Sequence, residues 1–224
     1  MLFNETIHLF SIIIILSMRL SMDILQFIRN GNKDTNTLCE QLFFLHGTYS
    51  FQKQLNQSHS IISLVSKKFN LPFTHIKVTG SAHLGISLHK NTPFQERNSD
   101  LDLAIIDANL YSVVLESIIK ETKRYNKKEK FRTETIIKNH EPVEINHYTM
   151  YMKWVSEGVI HPKYFPIGEY KKGWDSFFSE LSRQNRSFFK NISACVYLSE
   201  EAFKRKQLSS INSILKAPTE SVNQ

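Results

Sequence analysis

Val78-Thr79-Gly80-Ser81-Ala82-His83-Leu84-Gly85, followed after a polar gap by Ser99-Asp100-Leu101-Asp102-Leu103-Ala104-Ile105-Ile106, is the stretch from which the fold is read. His75 to Thr79 alternates polar and apolar residues, as a strand does, and runs into a small-residue turn at Gly80-Ser81. Leu101 to Ile106 is an apolar run of strand length that begins between two carboxylates. Side chains two apart share one face of a strand. Asp100 and Asp102 therefore project together, while Leu101 and Leu103 pack behind them.

Two carboxylates held this close repel each other unless a cation lies between them. Oxygen ligands of this kind suit Mg²⁺, which takes one or two carboxylates together with substrate phosphates. The Gly80-Ser81 turn supplies a complementary half. A strand entering a helix presents free backbone N–H groups, to which phosphates bind. Glycine allows close approach of the backbone, and the Ser81 hydroxyl adds a hydrogen-bonding group.

A two-metal site calls for a further carboxylate from a neighbouring strand. Glu134, Glu141 and Glu144 compete for that place. Glu144, in Pro142-Val143-Glu144-Ile145, leads, because Val143 and Ile145 face the other way and Glu144 would point off an otherwise buried strand. Glu134 reads as preceding its strand and Glu141 as lying in the turn.

With these elements in place, the chain resembles the DNA polymerase beta-like nucleotidyltransferase superfamily, whose pattern is a strand, Gly-Ser, an Asp-x-Asp strand and a third acid. The resemblance covers roughly residues 74 to 148. It implies an α+β fold with a mixed-sheet, palm-like core flanked by helices. It also implies transfer of a nucleoside monophosphate from an NTP to a hydroxyl, with Mg²⁺ or Mn²⁺ as cofactor. Carried over residue by residue, Asp100, Asp102 and Glu144 would be catalytic and metal-binding, and Gly80, Ser81 and Ser99 would bind the nucleotide. The gap from Ser81 to Asp100 is longer than in small members of the superfamily, which implies an inserted loop, His89 to Asn98, at the mouth of the site. Lys90 and Arg97 in that loop are candidate phosphate contacts, with ordinary loop charges as the competing reading. The acceptor stays open among RNA, protein, a small molecule and a second nucleotide. The alternative is a non-catalytic nucleotide-binding or interaction module that kept the fold. Small stand-alone relatives suggest, by analogy, a bacterial toxin or phage-defence component.

Around this centre the chain divides into an N-terminal helical segment (1–70), a nucleotidyltransferase core (71–150) and a mostly helical C-terminal segment (151–224). Thr35 to Phe69 reads as mostly helical, as do Ala82 to Leu88, Tyr111 to Lys123 and Trp174 to Leu181. Ile136 to Lys138 and Val143 to Tyr148 read as a hairpin, and Ile192 to Leu198 as a strand. Ser199 followed by Glu200 and Glu201 reads as a helix start. His147 is expected to be buried and hydrogen-bonded. Trp154, Tyr164, Phe165 and Trp174 are weighed as core or as base-stacking residues, and Lys204-Arg205-Lys206 as a solvated face.

The 224 residues, 41% hydrophobic, are enough for a substantial core, and the net charge of +7 admits polyanionic partners. That charge is concentrated: from Lys120 to Lys138 there are eight Lys or Arg against three Glu, read either as a solvated segment or as a phosphate-binding surface. The two cysteines, Cys39 and Cys195, match no metal or redox spacing, which points to a reduced, cytoplasmic protein. Phe10 to Leu16 is apolar but far short of the roughly 20 residues a membrane span needs. An N-terminal hydrophobic helix is expected there, with Met18 or Met22 as an alternative start and a membrane anchor disfavoured.

Overall fold

The computed structural model describes residues 24–30, 34–52, 54–138 and 140–216. The expected N-terminal helix around Phe10 to Leu16 lies outside them. In chain order the helices are α1 (residues 24–30), α2 (Thr35–Glu40), α3 (Leu55–Phe69), α4 (Gly80–Leu84), α5 (Ala108–Glu121), α6 (His147–Ser156), α7 (Glu169–Gln184) and α8 (Glu200–Lys216). The strands are β1 (Ile76–Thr79), β2 (Ile86–Ser87), β3 (Thr92–Pro93), β4 (Leu101–Ile106), β5 (Thr133–Lys138), β6 (Glu141–Asn146), β7 (Val159–Ile160) and β8 (Ile192–Tyr197). The protein is α+β, built on a mixed four-stranded sheet of order β1-β4-β8-β7.

β4 sits in the middle, antiparallel to β1 and parallel to β8. A parallel neighbour demands a crossover, and residues 107–191, which hold α5, the β5–β6 hairpin, α6, β7 and α7, provide it. Both faces of β4 are covered. Leu101, Leu103 and Ile105 pack with Ile61 and Val65 of α3, Val114 and Ile118 of α5 and Phe178 of α7. Ala104 faces the other way, toward Leu38 of α2 and Phe203 and Ile211 of α8. Fully burying each large side chain of β4 stabilises the fold by about 1.5–3 kcal/mol. Because β7 and β8 lie beyond residue 150, the sheet is completed by the C-terminal segment.

Local signals explain the main boundaries. Asp107 caps α5 by accepting a 2.6 Å hydrogen bond from the Leu110 amide. Ser199 caps α8 in the same way, accepting from the Ala202 amide at 3.2 Å. α3 ends at Asn70, whose left-handed φ of 52° and following Pro72 block further helix. Three expectations are corrected. The helix foreseen over Ala82–Leu88 stops at Leu84, where Gly85 turns left-handed at φ 79° and releases the chain into β2. The His89–Asn98 loop contains the second strand of a small hairpin, β3 paired with β2. The β5–β6 hairpin turns more tightly than expected, so Glu134 and Glu141 both lie within strands, and His147 opens α6 instead of extending β6. Among the described residues no helix is long and apolar enough to cross a membrane.

Candidate active site

Asp102 is the hub of the site. In the sheet register it stands between Thr79 of β1 and Ser193 of β8. Thr79 Oγ1 donates to the Asp102 carbonyl at 3.2 Å, and Ser193 Oγ donates to Asp102 Oδ1 at 3.0 Å. The other carboxylate oxygen faces Gly80, where a Cβ would stand 3.3 Å from Asp102 Oδ2. Gly80 has φ +63°, so the turn both needs a residue at ease in the left-handed region and leaves room for the carboxylate. Asp100, just before β4, accepts a 3.0 Å hydrogen bond from Asn191 Nδ2. The turn and the two carboxylates, 20 residues apart in sequence, thus meet through the β1–β4 pairing.

Burial lifts the Asp102 pKa above the usual aspartate range. The Ser193 hydrogen bond opposes this, the Asp100 charge adds to it, and the Lys90 charge works against it. Lys90 is near enough for its charge to act on Asp102, but it does not line the cavity described below. Asp102 is solvent-exposed as a residue, with its carboxylate set between Ser193 and Gly80, and a carboxylate with a like charge beside it gains from a cation. Asp100 and Asp102 fit one divalent ion shared with substrate phosphates. Among the described residues no group of three or more His, Cys, Asp and Glu is placed to hold a metal, so none of them adds a further carboxylate to this pair.

Glu144 stands elsewhere. It is exposed on β6, opposite Thr135, in a two-stranded sheet separate from the one that holds β4. The premise that β6 is buried fails, since Glu141, Pro142, Val143 and Glu144 are all exposed. Cross-strand partners share a face and successive residues alternate. Glu134, paired with Ile145, is therefore on the opposite face of the hairpin from Glu144. Glu134 bonds Lys163 at 2.8 Å and approaches His147 Nε2 to 3.5 Å. His147 is buried as expected, but its ring nitrogens make no hydrogen bond among the described residues.

The remaining candidates divide. Ser81 is half-buried in α4, where its carbonyl accepts from the Gly85 amide. Ser99 Oγ accepts from the Gln95 amide at 2.9 Å, which shapes the turn before β4. Arg97 donates from Nε to the Ser187 carbonyl at 3.3 Å and so pins the loop to the chain after α7. These contacts are structural.

Thr79, Gly80, Asp102 and Ser193 open onto a cavity of about 1090 Å³. Five cations line it: Lys163, Lys171, Arg183, Arg186 and Lys206. Three are partnered, Lys163 by Glu134, Lys171 by Asp175 and Arg183 by Glu180. Arg186 and Lys206 have no carboxylate within 4.0 Å among the described residues. Lys206 Nζ lies 4.3 Å from the centre of the Trp154 ring, and burial lowers its pKa. The reading of Lys204-Arg205-Lys206 as one solvated face is thereby corrected: Lys204 pairs with Glu40, and Lys206 enters the cavity. Trp174 and Phe165 are buried core residues, whereas Trp154 is half-buried against His161 and Lys206. Cys195, opposite Ala104, lines the cavity as a thiol whose pKa burial pushes up to about 12.

No protein-family model matches this chain, and no curated protein or solved structure matches it either.

Proposed function

We propose that this cavity binds a nucleoside triphosphate with one divalent cation on Asp100 and Asp102, and that the protein is a nucleotidyltransferase of the polymerase beta-like kind. The observation that carries the reading is the placement of the Asp102 carboxylate beside the left-handed turn at Gly80, at the rim of a cation-lined cavity. A triphosphate needs both halves: cations and open backbone for its oxygens, and carboxylates for the metal it brings. Mg²⁺ or Mn²⁺, when bound, would neutralise charge on the phosphates and on the leaving group. In the reaction the acceptor hydroxyl oxygen bonds to the α-phosphorus, the bond to the β-phosphate oxygen breaks, and pyrophosphate and a proton leave. Arg186 and Lys206, free of carboxylate partners, are the side chains best disposed to take phosphate oxygens.

The test is incubation of the full chain with each labelled NTP, Mg²⁺ or Mn²⁺, and cellular RNA and protein as acceptors. Label transfer that Asp100→Ala and Asp102→Ala abolish supports the enzyme.

One observation favours a second reading, a module that binds nucleotide without transferring it. The neighbouring strand offers Ser193 beside Asp102, and Glu144 lies on the outer hairpin. Saturable, metal-dependent NTP binding with no transfer to any acceptor would select that reading.

A further inference from the structure

The densest charge in the chain lies outside the cavity. Lys120, Lys123, Arg124, Lys127, Lys128, Lys130 and Arg132 form no ion pair among the described residues. The three glutamates nearby do little to offset them. Glu121 accepts from the Tyr170 amide, Glu134 is taken by Lys163, and only Glu129 is uncommitted. Lys120 lies in the last turn of α5, and the backbone carries the other six beyond that helix. After α5 the chain takes three successive left-handed residues, Lys123, Arg124 and Tyr125, with φ of 50°, 58° and 62°. Thr122 anchors the turn, accepting from the Tyr125 amide at 3.1 Å and donating to the Ile118 carbonyl at 2.7 Å. Left-handed backbone costs a non-glycine residue roughly 1–2 kcal/mol, so the turn is held against a local penalty. Lys120, Lys123, Arg124, Lys128 and Arg132 are exposed, and Lys127 and Lys130 are half-buried.

The segment also abuts the cavity rim. The Ile167 amide donates to the Lys130 carbonyl at 2.8 Å, and Tyr170 bonds Glu121. The next residue, Lys171, lines the cavity, as does Lys163, which holds Glu134 of β5. The segment therefore adjoins residues 163–171, whose Lys163 and Lys171 line the cavity with their charges paired to Glu134 and Asp175. From Lys120 to Arg132 no large apolar side chain is exposed, so the segment lacks what a lipid surface would need for insertion.

We propose that the basic segment from Lys120 to Arg132 is a docking track for a single-stranded nucleic acid, held by its phosphates. The binding of the strand does not depend on the nucleotidyltransferase reading. Only the further step, that the strand's end enters the cavity as acceptor, rests on it.

The test is fluorescence anisotropy of a labelled 20-nucleotide single-stranded RNA with the full chain across a salt series. Each phosphate contact on a single strand contributes about 0.7 to the slope of log K against log salt. The triple variant Lys123→Gln, Arg124→Gln, Lys127→Gln is expected to bind at least about tenfold more weakly at low salt, with a slope smaller by about 2. The control variant Arg29→Gln, Lys67→Gln, Arg205→Gln, which removes three cations from other surfaces, is expected to bind as the wild type does. Circular dichroism checks that each variant is folded, and Lys127→Gln alone, away from the left-handed residues, is expected to lower the slope by about 0.7. Equal RNA binding by the track variants and wild type, equal loss in the control, or binding to vesicles of anionic lipid with none to RNA, would overturn the proposal. The same variants are expected to keep NTP binding, so a failure of the track and a failure of the cavity reading are told apart.

Discussion

Ser193 Oγ donates to Asp102 Oδ1 at 3.0 Å across the parallel β4–β8 register, so a hydroxyl occupies the position beside the candidate metal-binding pair. The strand next to β4 would be the natural source of a third carboxylate, and here it supplies a neutral donor. The hydrogen bond favours the charged form of Asp102 and offsets part of the desolvation that raises its pKa.

Replacing Ser193 tests this division of labour. Ser193→Ala is expected to cost about 1 kcal/mol of stability in chemical denaturation, the net worth of one such bond. Ser193→Asp would set a third acid beside Asp102. It is expected to destabilise the protein in chelator and to tighten Mn²⁺ binding in calorimetry. Unchanged Mn²⁺ affinity would show that the two aspartates do not form a cation site.

Gly80 makes a separate demand. Its φ of +63° lies where a Cβ is penalised, and that Cβ would crowd Asp102 Oδ2 at 3.3 Å. Gly80→Ala is expected to destabilise the protein by about 1–2 kcal/mol and to weaken NTP binding more than the stability loss explains. Gly80→Asn, a residue more at ease in that region, should recover part of the stability and none of the binding. Thermal melts and NTP titrations of the two variants read both effects.

What the sequence revealed and what it hid have physical reasons. β1, β4 and β8 were legible because their alternation or apolar density reflects burial in one sheet, and Gly80 marked the turn that brings β1 onto Asp102. The site's second wall was hidden because it is made by distant elements. Lys206 looks solvated within Lys204-Arg205-Lys206 until α8 is laid over the sheet, and Arg186 follows a helix whose direction no local pattern fixes. Glu144 misled because Val143 and Ile145 flank it like core residues, whereas the hairpin they form stands off the main sheet and buries neither face fully.

Acid should destabilise the fold through two histidines. His161 has its pKa lowered to about 4, chiefly by burial, with the Lys206 and Lys163 charges adding to the effect. Its Nδ1 accepts from the Lys163 amide at 3.3 Å, which requires that nitrogen to be unprotonated. His83 is also lowered by burial, and its ring bridges the Leu42 carbonyl and Thr48 Oγ1. In the unfolded chain both take up a proton near the ordinary value of 6.5, whereas in the native state they resist it. The unfolded state therefore binds more protons below that value, and stability should fall as pH drops from about 6.5 toward 4. His161→Asn, which keeps an acceptor for the Lys163 amide, is expected to flatten that part of the profile in urea denaturation at stepped pH. An unaltered profile would mean that His161 titrates alike in both states.

Lys206 is a half-buried cation of the cavity wall. Burial lowers its pKa, no carboxylate pairs with it among the described residues, and its ammonium rests over Trp154 at 4.3 Å. A half-buried ammonium is costly to desolvate, and the Glu157 charge offsets only part of that cost, so Lys206→Met, which keeps the length of the chain and drops the charge, is expected to leave stability equal or higher. If Lys206 meets phosphate, the same change should weaken NTP binding about tenfold, the equivalent of about 1.4 kcal/mol. Arg205→Met, on the exposed side of the same helix turn, should alter neither quantity. Calorimetric titration with a non-hydrolysable NTP beside denaturant melts gives both readings. Stability lost together with affinity would assign Lys206 to packing against Trp154 and not to the ligand.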